Sequence, residues 1–286
     1  MVSDVTFDSL YIKTRNVFRA GMITSPELEA RLIVEKASGK TRAEYIRDGQ
    51  LDVPEKIAEA VQGYTERRLL GEPVAYITGE WEFFSLPFFV NSDTLIPRAD
   101  SEVLAAHATM LLSYIKAPRV LDLCAGSGCL GIAVSKNVSD VMLTLADILP
   151  GALEMCEKNA NRNGVIAKLA TFDALKSPPE NLEYDMLMCN PPYIPEGELD
   201  SLDSSVRDFE PRLALDGGSD GLKFYRAIAA HWKSTLVPGG WILFECGCGQ
   251  AADVRTILEA EGFSEIAQAE DTAGITRVVI GRKITT

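Results

Sequence analysis

From Pro118 onward the chain alternates short apolar runs with amphipathic stretches, and few folds accept that pattern. The runs 119–123, 141–146, 166–172, 184–189 and 240–246 have strand length and are mostly apolar. Strands of that kind belong inside a sheet covered on both faces. Helical patterns begin at Cys129, run through Ala152, Met155, Cys156 and Ala160, and recur over 221–236 and 251–261. Strand and helix in alternation predict an α/β fold with a Rossmann-like, doubly wound sheet. Residues 266–268 and 276–280 are expected to close it as a C-terminal β-hairpin.

The N-terminal text is different. Phe7, Leu10, Tyr11, Val17 and Phe18 fall at roughly helical spacing. Ser25-Pro26-Glu27 reads as an N-cap, a first-turn proline and an acid favoured by the helix dipole. Thr41-Arg42-Ala43-Glu44 and Asp52-Val53-Pro54-Glu55 both read as capping-box starts, and Gly71 as a helix stop. Residues 1–72 are therefore expected to form a small all-α domain. Over 73–98 come Val74, Tyr76, Ile77, Trp81, Phe83, Phe84, Phe88, Phe89 and Val90, broken by Gly79-Glu80 and Ser85-Leu86-Pro87. One or two β-hairpins are expected there, linking to an α/β domain over 99–286 that opens with a helix over 100–114.

Composition narrows the function. The net charge of −13 argues against direct nucleic-acid binding, whose affinity comes chiefly from cationic contacts to phosphate. No apolar run approaches the about twenty residues that span a bilayer, and residues 1–8 lack signal-peptide character. The six cysteines include no CxxC pair, and only His107 and His231 are present, so no metal site is expected. Free thiols and the absence of a leader fit a reducing cytoplasm.

Two stretches carry chemistry. In Asp122-Leu123-Cys124-Ala125-Gly126-Ser127-Gly128 the first strand turns into its helix, where glycines let a ligand approach the backbone. Gly126, Gly128 and Gly131 spell G-x-G-x-x-G, and Asp147 ends the next strand, which by itself fits a dinucleotide enzyme. Asp122 instead suits an amino-acid ammonium, favouring S-adenosylmethionine (SAM), with Asp147 on the ribose hydroxyls and Phe172-Asp173 along the adenine. The second stretch is Asn190-Pro191-Pro192-Tyr193, directly after an apolar strand. Two prolines fix the backbone, Asn190 and the Pro191 carbonyl offer acceptors, and Tyr193 adds a flat face. That is a socket for a planar NH2 group whose nitrogen is to be methylated.

At these and further residues the chain resembles the HemK/PrmC family of release factor glutamine methyltransferases. The resemblance rests on Gly71-Glu72-Pro73-Val74-Ala75-Tyr76-Ile77-Thr78-Gly79, Leu95-Ile96-Pro97-Arg98 and Asn190-Pro191-Pro192-Tyr193-Ile194. Phe209-Glu210-Pro211-Arg212-Leu213-Ala214-Leu215-Asp216-Gly217-Gly218 and Asp220-Gly221-Leu222 extend it. The resemblance implies a class I methyltransferase domain and a helical domain that helps receive a class-1 peptide chain release factor. It further implies methyl transfer from SAM to the side-chain amide nitrogen (N5) of glutamine in the Gly-Gly-Gln tip, leaving S-adenosyl-L-homocysteine.

Carried onto this sequence, the resemblance sets SAM on Cys124, Ala125, Gly126, Ser127, Gly128 and Asp147, with Asp122, Phe172, Asp173, Ala174 and Asn190 beside it. Asn190, Pro191, Pro192 and Tyr193 hold the glutamine amide. Cys124-Ala125 stands where Gly-Thr is common, and Ala174 where tryptophan is frequent. Asn-Pro-Pro-Tyr is shared with adenine-N6 methyltransferases, which remain the alternative, beside a nicotinamide-dependent dehydrogenase and a non-enzymatic scaffold.

Overall fold

The computed structural model describes residues 5–284, which divide into two compact units: 5–79 with 204–209, and 80–203 with 210–284. The first is helical, with α1 Phe7–Ala20, α2 Pro26–Ser38, α3 Arg42–Asp48, α4 Glu55–Leu69, α5 Val74–Thr78 and a single turn, α9, at Ser204–Arg207. Thr41 and Glu44 form the reciprocal capping box expected of them. Asp52 does not cap α4. It bridges to Thr6 while the Val53 N–H donates to the Val5 carbonyl at 2.8 Å, so the chain before α4 is extended and the helix starts after Pro54.

Residues 74–78 correct the expectation of strand. Val74, Ile77 and Thr78 carry β-branched side chains, yet Pro73 opens a helix that Gly79 closes at φ 72°. Val74, Ala75 and Ile77 are buried there, so tertiary packing overrides propensity. The helical unit thus runs to Gly79 instead of 72, and it also takes in 204–209.

In the second unit a single hairpin pairs β1 Glu80–Phe83 with β2 Leu86–Phe89. Phe84 and Ser85 turn at φ 51° and 59°, the left-handed pair that suits right-twisted strands. A sheet of seven strands follows. Its members are β3 Arg119–Leu123, β4 Met142–Asp147, β5 Ala167–Thr171, β6 Tyr184–Cys189, β7 Leu236–Glu245, β8 Phe263–Glu270 and β9 Thr276–Lys283. They lie in the order β5-β4-β3-β6-β7-β9-β8; the first five are parallel, and β9 runs antiparallel between β7 and β8.

Burial on both faces explains the apolar runs. Val120, Met186, Met188 and Leu243 face one core with Leu104, Ala108 and Leu112 of α6 (Glu102–Leu112) and Leu130 and Ile132 of α7 (Cys129–Asn137). Alternate residues Leu121, Leu123, Leu187, Cys189, Ile242 and Phe244 face the other, with Tyr225 of α10 (Lys223–His231) and Val254 and Leu258 of α11 (Ala251–Ala260). The helix expected over 221–236 stops at His231, because a 3-10 turn, Trp232–Thr235, leads into β7.

Two amides, Asn159 of α8 (Pro150–Arg162) and Asn163 in the turn after it, tie the hairpin to the sheet domain. Asn163 Nδ2 donates to the Pro87 carbonyl at 3.0 Å, and Asn159 makes the larger set of bonds. Asn159 is fully buried; its Oδ1 accepts from the Phe89 N–H at 2.6 Å, and its Nδ2 donates to the carbonyls of Phe89 (3.0 Å) and Ser127 (2.9 Å). Asn159→Ala strips three backbone groups of their partner and is expected to lower unfolding free energy by about 2–3 kcal/mol, read by urea denaturation.

Candidate active site

Order β3-β6 reverses the direction in which the sheet is wound, and crevices open beyond the carboxyl ends of strands at such a point. Register sets Leu123 of β3 opposite Cys189 of β6, so the loops starting at Cys124 and Asn190 leave the sheet side by side. A cavity of about 340 Å³ lies there. Of the residues expected at a site, Cys124, Ala125, Gly126, Ser127, Asp147, Phe172, Asp173, Ala174, Asn190 and Pro192 line it.

The glycine loop is held open by backbone bonds. Ala125 N–H donates to the Ala146 carbonyl at 3.0 Å, and Gly128 N–H to the Ala125 carbonyl at 2.7 Å. Asp147 accepts from Gly126 N–H at 2.9 Å with one oxygen and from Leu149 N–H at 3.0 Å with the other. Burial raises its pKa, and those two N–H groups work against the rise. Gly126 sits at φ 55° with nothing within 4 Å of where a Cβ would project. Gly128, at φ 78°, is packed instead: its Cβ would lie 3.2 Å from Cys156, Ile132 and Leu145, so it serves the turn beneath the cavity. Cys124 takes φ 63°. A left-handed conformation costs a residue with a Cβ about 1–2 kcal/mol, which explains why glycine suits this position and why cysteine is an unusual occupant.

Asp122 is placed elsewhere than expected. As the fourth residue of β3 its side chain alternates to the α7 face; it is fully buried, accepts from Gly131 N–H at 2.8 Å, and does not line the cavity. Burial pushes its pKa up to about 7. It braces α7 through the Gly131 bond. Asp173 combines two roles, since it lines the cavity and its Oδ1 also accepts from Leu175 N–H at 3.0 Å. Phe172 packs on Trp232 with ring centroids 5.4 Å apart, and the Trp232 indole donates to the Ala174 carbonyl at 3.2 Å.

The socket is fixed from behind. Ile194 N–H donates to the Leu215 carbonyl at 3.0 Å, and Gly217 N–H returns a bond to the Ile194 carbonyl at 2.9 Å. Gln250 Nε2 donates to the Tyr193 carbonyl at 2.9 Å. Pro191 and Tyr193 are not among the cavity-lining residues; Tyr193 packs with the α10 and α11 core, and burial raises the pKa of its hydroxyl. Asn190 donates through Nδ2 to Ser101 Oγ at 3.4 Å.

Sequence reasoning missed Gln250, Ser101, Glu245 and the pairing of Arg98 with Glu210, whose carboxylate also accepts from Ile96 N–H at 3.2 Å. Only the Leu-Ile-Pro-Arg and Glu-Pro-Arg stretches signalled the last of these. The lining has Asp93, Asp147, Asp173 and Asp216 against Arg98 and Lys223, and Arg98 is neutralised by Glu210. Such a surface fits a cationic ligand like SAM and does not fit a pyrophosphate, which needs donors and positive charge. No group of His, Cys, Asp and Glu among the described residues is arranged to hold a metal.

A family model described as PrmC N-terminal domain matches residues 9–79, and one described as methyltransferase small domain matches 100–207. A release factor glutamine methyltransferase of Geobacter sulfurreducens is 38% identical, with 94% of each chain covered. The chain belongs to the release factor glutamine methyltransferase family. Another member, from Clostridium acetobutylicum, is 35% identical over 88% of this chain and 90% of its own. A methyltransferase from Pyrococcus furiosus, 13% identical, superposes with a TM-score of 0.52 over 78% of this chain and 99% of that one, which supports the fold. Among the described residues no helix is long and apolar enough to cross a membrane.

Gly217 acts through close approach to the turn after β6. A Cβ on Gly217 would lie 2.7 Å from the Tyr193 Cα and 2.8 Å from the Gly221 Cα, both backbone atoms that cannot swing aside. Gly217→Ala is expected to cost about 1–3 kcal/mol of stability, as overpacked sites do, and to lower kcat because the Asn190–Tyr193 backbone must shift. Thermal melts and steady-state kinetics on the one variant check both.

Proposed function

We propose that this chain transfers a methyl group from SAM to the glutamine side-chain amide nitrogen in the Gly-Gly-Gln tip of class-1 peptide chain release factors. The observation that carries this is the meeting of Asn190 with the Cys124–Ser127 loop and Asp147 in one acidic cavity, in a chain of this family. SAM, when bound, supplies a methyl group already activated by its sulfonium.

The chain's own residues supply position. The Cys124–Ser127 backbone and Asp147 would hold the donor, with Phe172, Asp173 and Ala174 along its base. Asn190 Oδ1 and the Pro191 carbonyl accept from the two N–H bonds of the substrate amide and keep its nitrogen facing the methyl group. Holding the reacting atoms in near-attack geometry replaces a bimolecular encounter, and this supplies much of the barrier reduction. Tyr193 anchors the socket from its rear. The helical unit receives the release factor, because one glutamine side chain offers few atoms for binding and orientation has to come from a larger surface. Class-1 release factors are cytoplasmic substrates, and the six free thiols suit that compartment.

Mass spectrometry of a release factor incubated with the chain and SAM tests the proposal; one added methyl on the Gly-Gly-Gln glutamine is expected, and an unmodified factor overturns it. Asn190→Ala is expected to abolish turnover while leaving SAM affinity within about threefold, since a lost positioning bond falls on the reacting geometry. Asp147→Ala is expected to weaken SAM binding by roughly 1.5–3 kcal/mol by calorimetry, the range for a charged hydrogen-bonding group.

A further inference from the structure

Behind Asn190 lies a carboxyl group that the reaction as described does not use. Glu245 ends β7, and because Phe244 pairs with Cys189 in the parallel register, Glu245 comes up beside Asn190. It is 2% exposed and does not line the cavity. Its Oε2 is buried without a hydrogen-bond partner, an arrangement that costs free energy and asks for an explanation. The side chains of Ser101 and Asn190 both lie against the carboxyl group, and their hydrogen bonds favour its charged form.

Resting on the reading that Asn190 receives the substrate amide, we propose that Glu245 is the positioning residue that fixes which end of the Asn190 amide faces the substrate. A carboxylate only accepts hydrogen bonds, so the Ser101 hydroxyl must donate to it. The Ser101 oxygen is then the acceptor for Asn190 Nδ2, the bond observed at 3.4 Å. Each link sets the next, and Asn190 is left with Oδ1 turned out as an acceptor. Protonated Glu245 both donates and accepts, so it no longer compels Ser101 to donate to it: the reversed chain, with Ser101 donating to Asn190, Oδ1 turned inward and an NH2 group facing the NH2 of the substrate, becomes open as well.

The surroundings set the pH at which this happens. Burial is the main influence, pushing the Glu245 pKa up to about 7; Asp100 raises it, while the Ser101 and Asn190 hydrogen bonds and Arg277 lower it. Arg277 is shared with Asp100 at 2.8 Å and Asp271 at 2.9 Å. Tyr193, Tyr225, Cys246 and Cys129 also face the carboxyl, and burial keeps all four neutral at that pH. The active form is therefore the charged one, present above pH about 7 and lost as pH falls below it.

Three measurements test the assignment. In the wild type, kcat at saturating SAM should fall as pH drops below the Glu245 pKa, and in Glu245→Gln it should be flat across the same range. Glu245→Leu should lose on the order of 10²-fold in kcat with SAM affinity within about twofold, a split that a merely structural role would not give. The Asn190 side-chain amide resonances in the full chain should titrate with the same midpoint, and should not do so in Glu245→Gln. An identical pH profile in wild type and Glu245→Gln, or an Asn190 amide blind to pH, overturns the proposal. If Glu245→Leu does not fold, the Glu245→Gln profile decides. If the wild type leaves a release factor unmethylated, the functional reading fails, and the amide titration still decides the pairing.

Discussion

Everything at the cavity depends on the parallel pairing of β3 with β6. Four register pairs, Val120 with Met186 through Leu123 with Cys189, bring a glycine loop and a proline-locked turn out of the sheet at the same level. Because the side-chain period of a strand is two, a slip of one residue would turn Leu121, Leu123, Leu187 and Cys189 out of one core and into the other. The two apolar cores therefore hold the register, and the register holds the chemistry. Burial of Leu123 and Cys189 at 0% exposure states how firmly.

Around that pair the molecule uses buried carboxyl groups as fixed points. Asp122 braces the start of α7, and Glu210 secures the backbone of Ile96 while ion-pairing with Arg98. Each is desolvated, and each is raised in pKa by that burial. For Glu210 the Arg98 guanidinium, itself 37% exposed, opposes the rise, so losing Arg98 would leave a buried carboxylate unpaired. The Leu-Ile-Pro-Arg and Glu-Pro-Arg stretches, more than a hundred positions apart in the chain, are thus two halves of a single contact.

The strands and their helices were legible because burial on both faces leaves an unbroken apolar signal, as in Met186–Cys189. Helix ends were legible where capping is local, as with Thr41 and Glu44. What could not be read is decided by partners remote in sequence. Val74–Thr78 has strand-like residues, but its fate is set by burial in the helical unit. Asp122 looked like a ligand group because it precedes the glycines; which way it points depends on strand alternation, which only the observed start of β3 fixes. Gln250, holding the Tyr193 carbonyl from 57 positions away, left no local sign. Asn190, Asp147 and the Cys124–Ser127 loop were legible at the cavity, since they lie at or just past the carboxyl ends of the parallel strands β6, β4 and β3, next to the crevice at the β3-β6 switch point.

Among the described residues no histidine lines the cavity, and the chemistry proposed for it asks for no general base. An amide nitrogen is a poor nucleophile because its lone pair is shared with the carbonyl, and its protons become acidic only as the new bond forms. A strong base beside it would gain little in the ground state. Acceptors held in place gain more, since they draw on the N–H bonds throughout and cost no reorganisation when charge develops. This makes the polarity of every hydrogen bond behind Asn190 part of the catalytic apparatus. An asparagine presents an acceptor and a donor that are nearly the same shape, so packing alone does not choose between them. The choice needs a group that can only accept or only donate, and at the end of β7 that group is the carboxylate of Glu245.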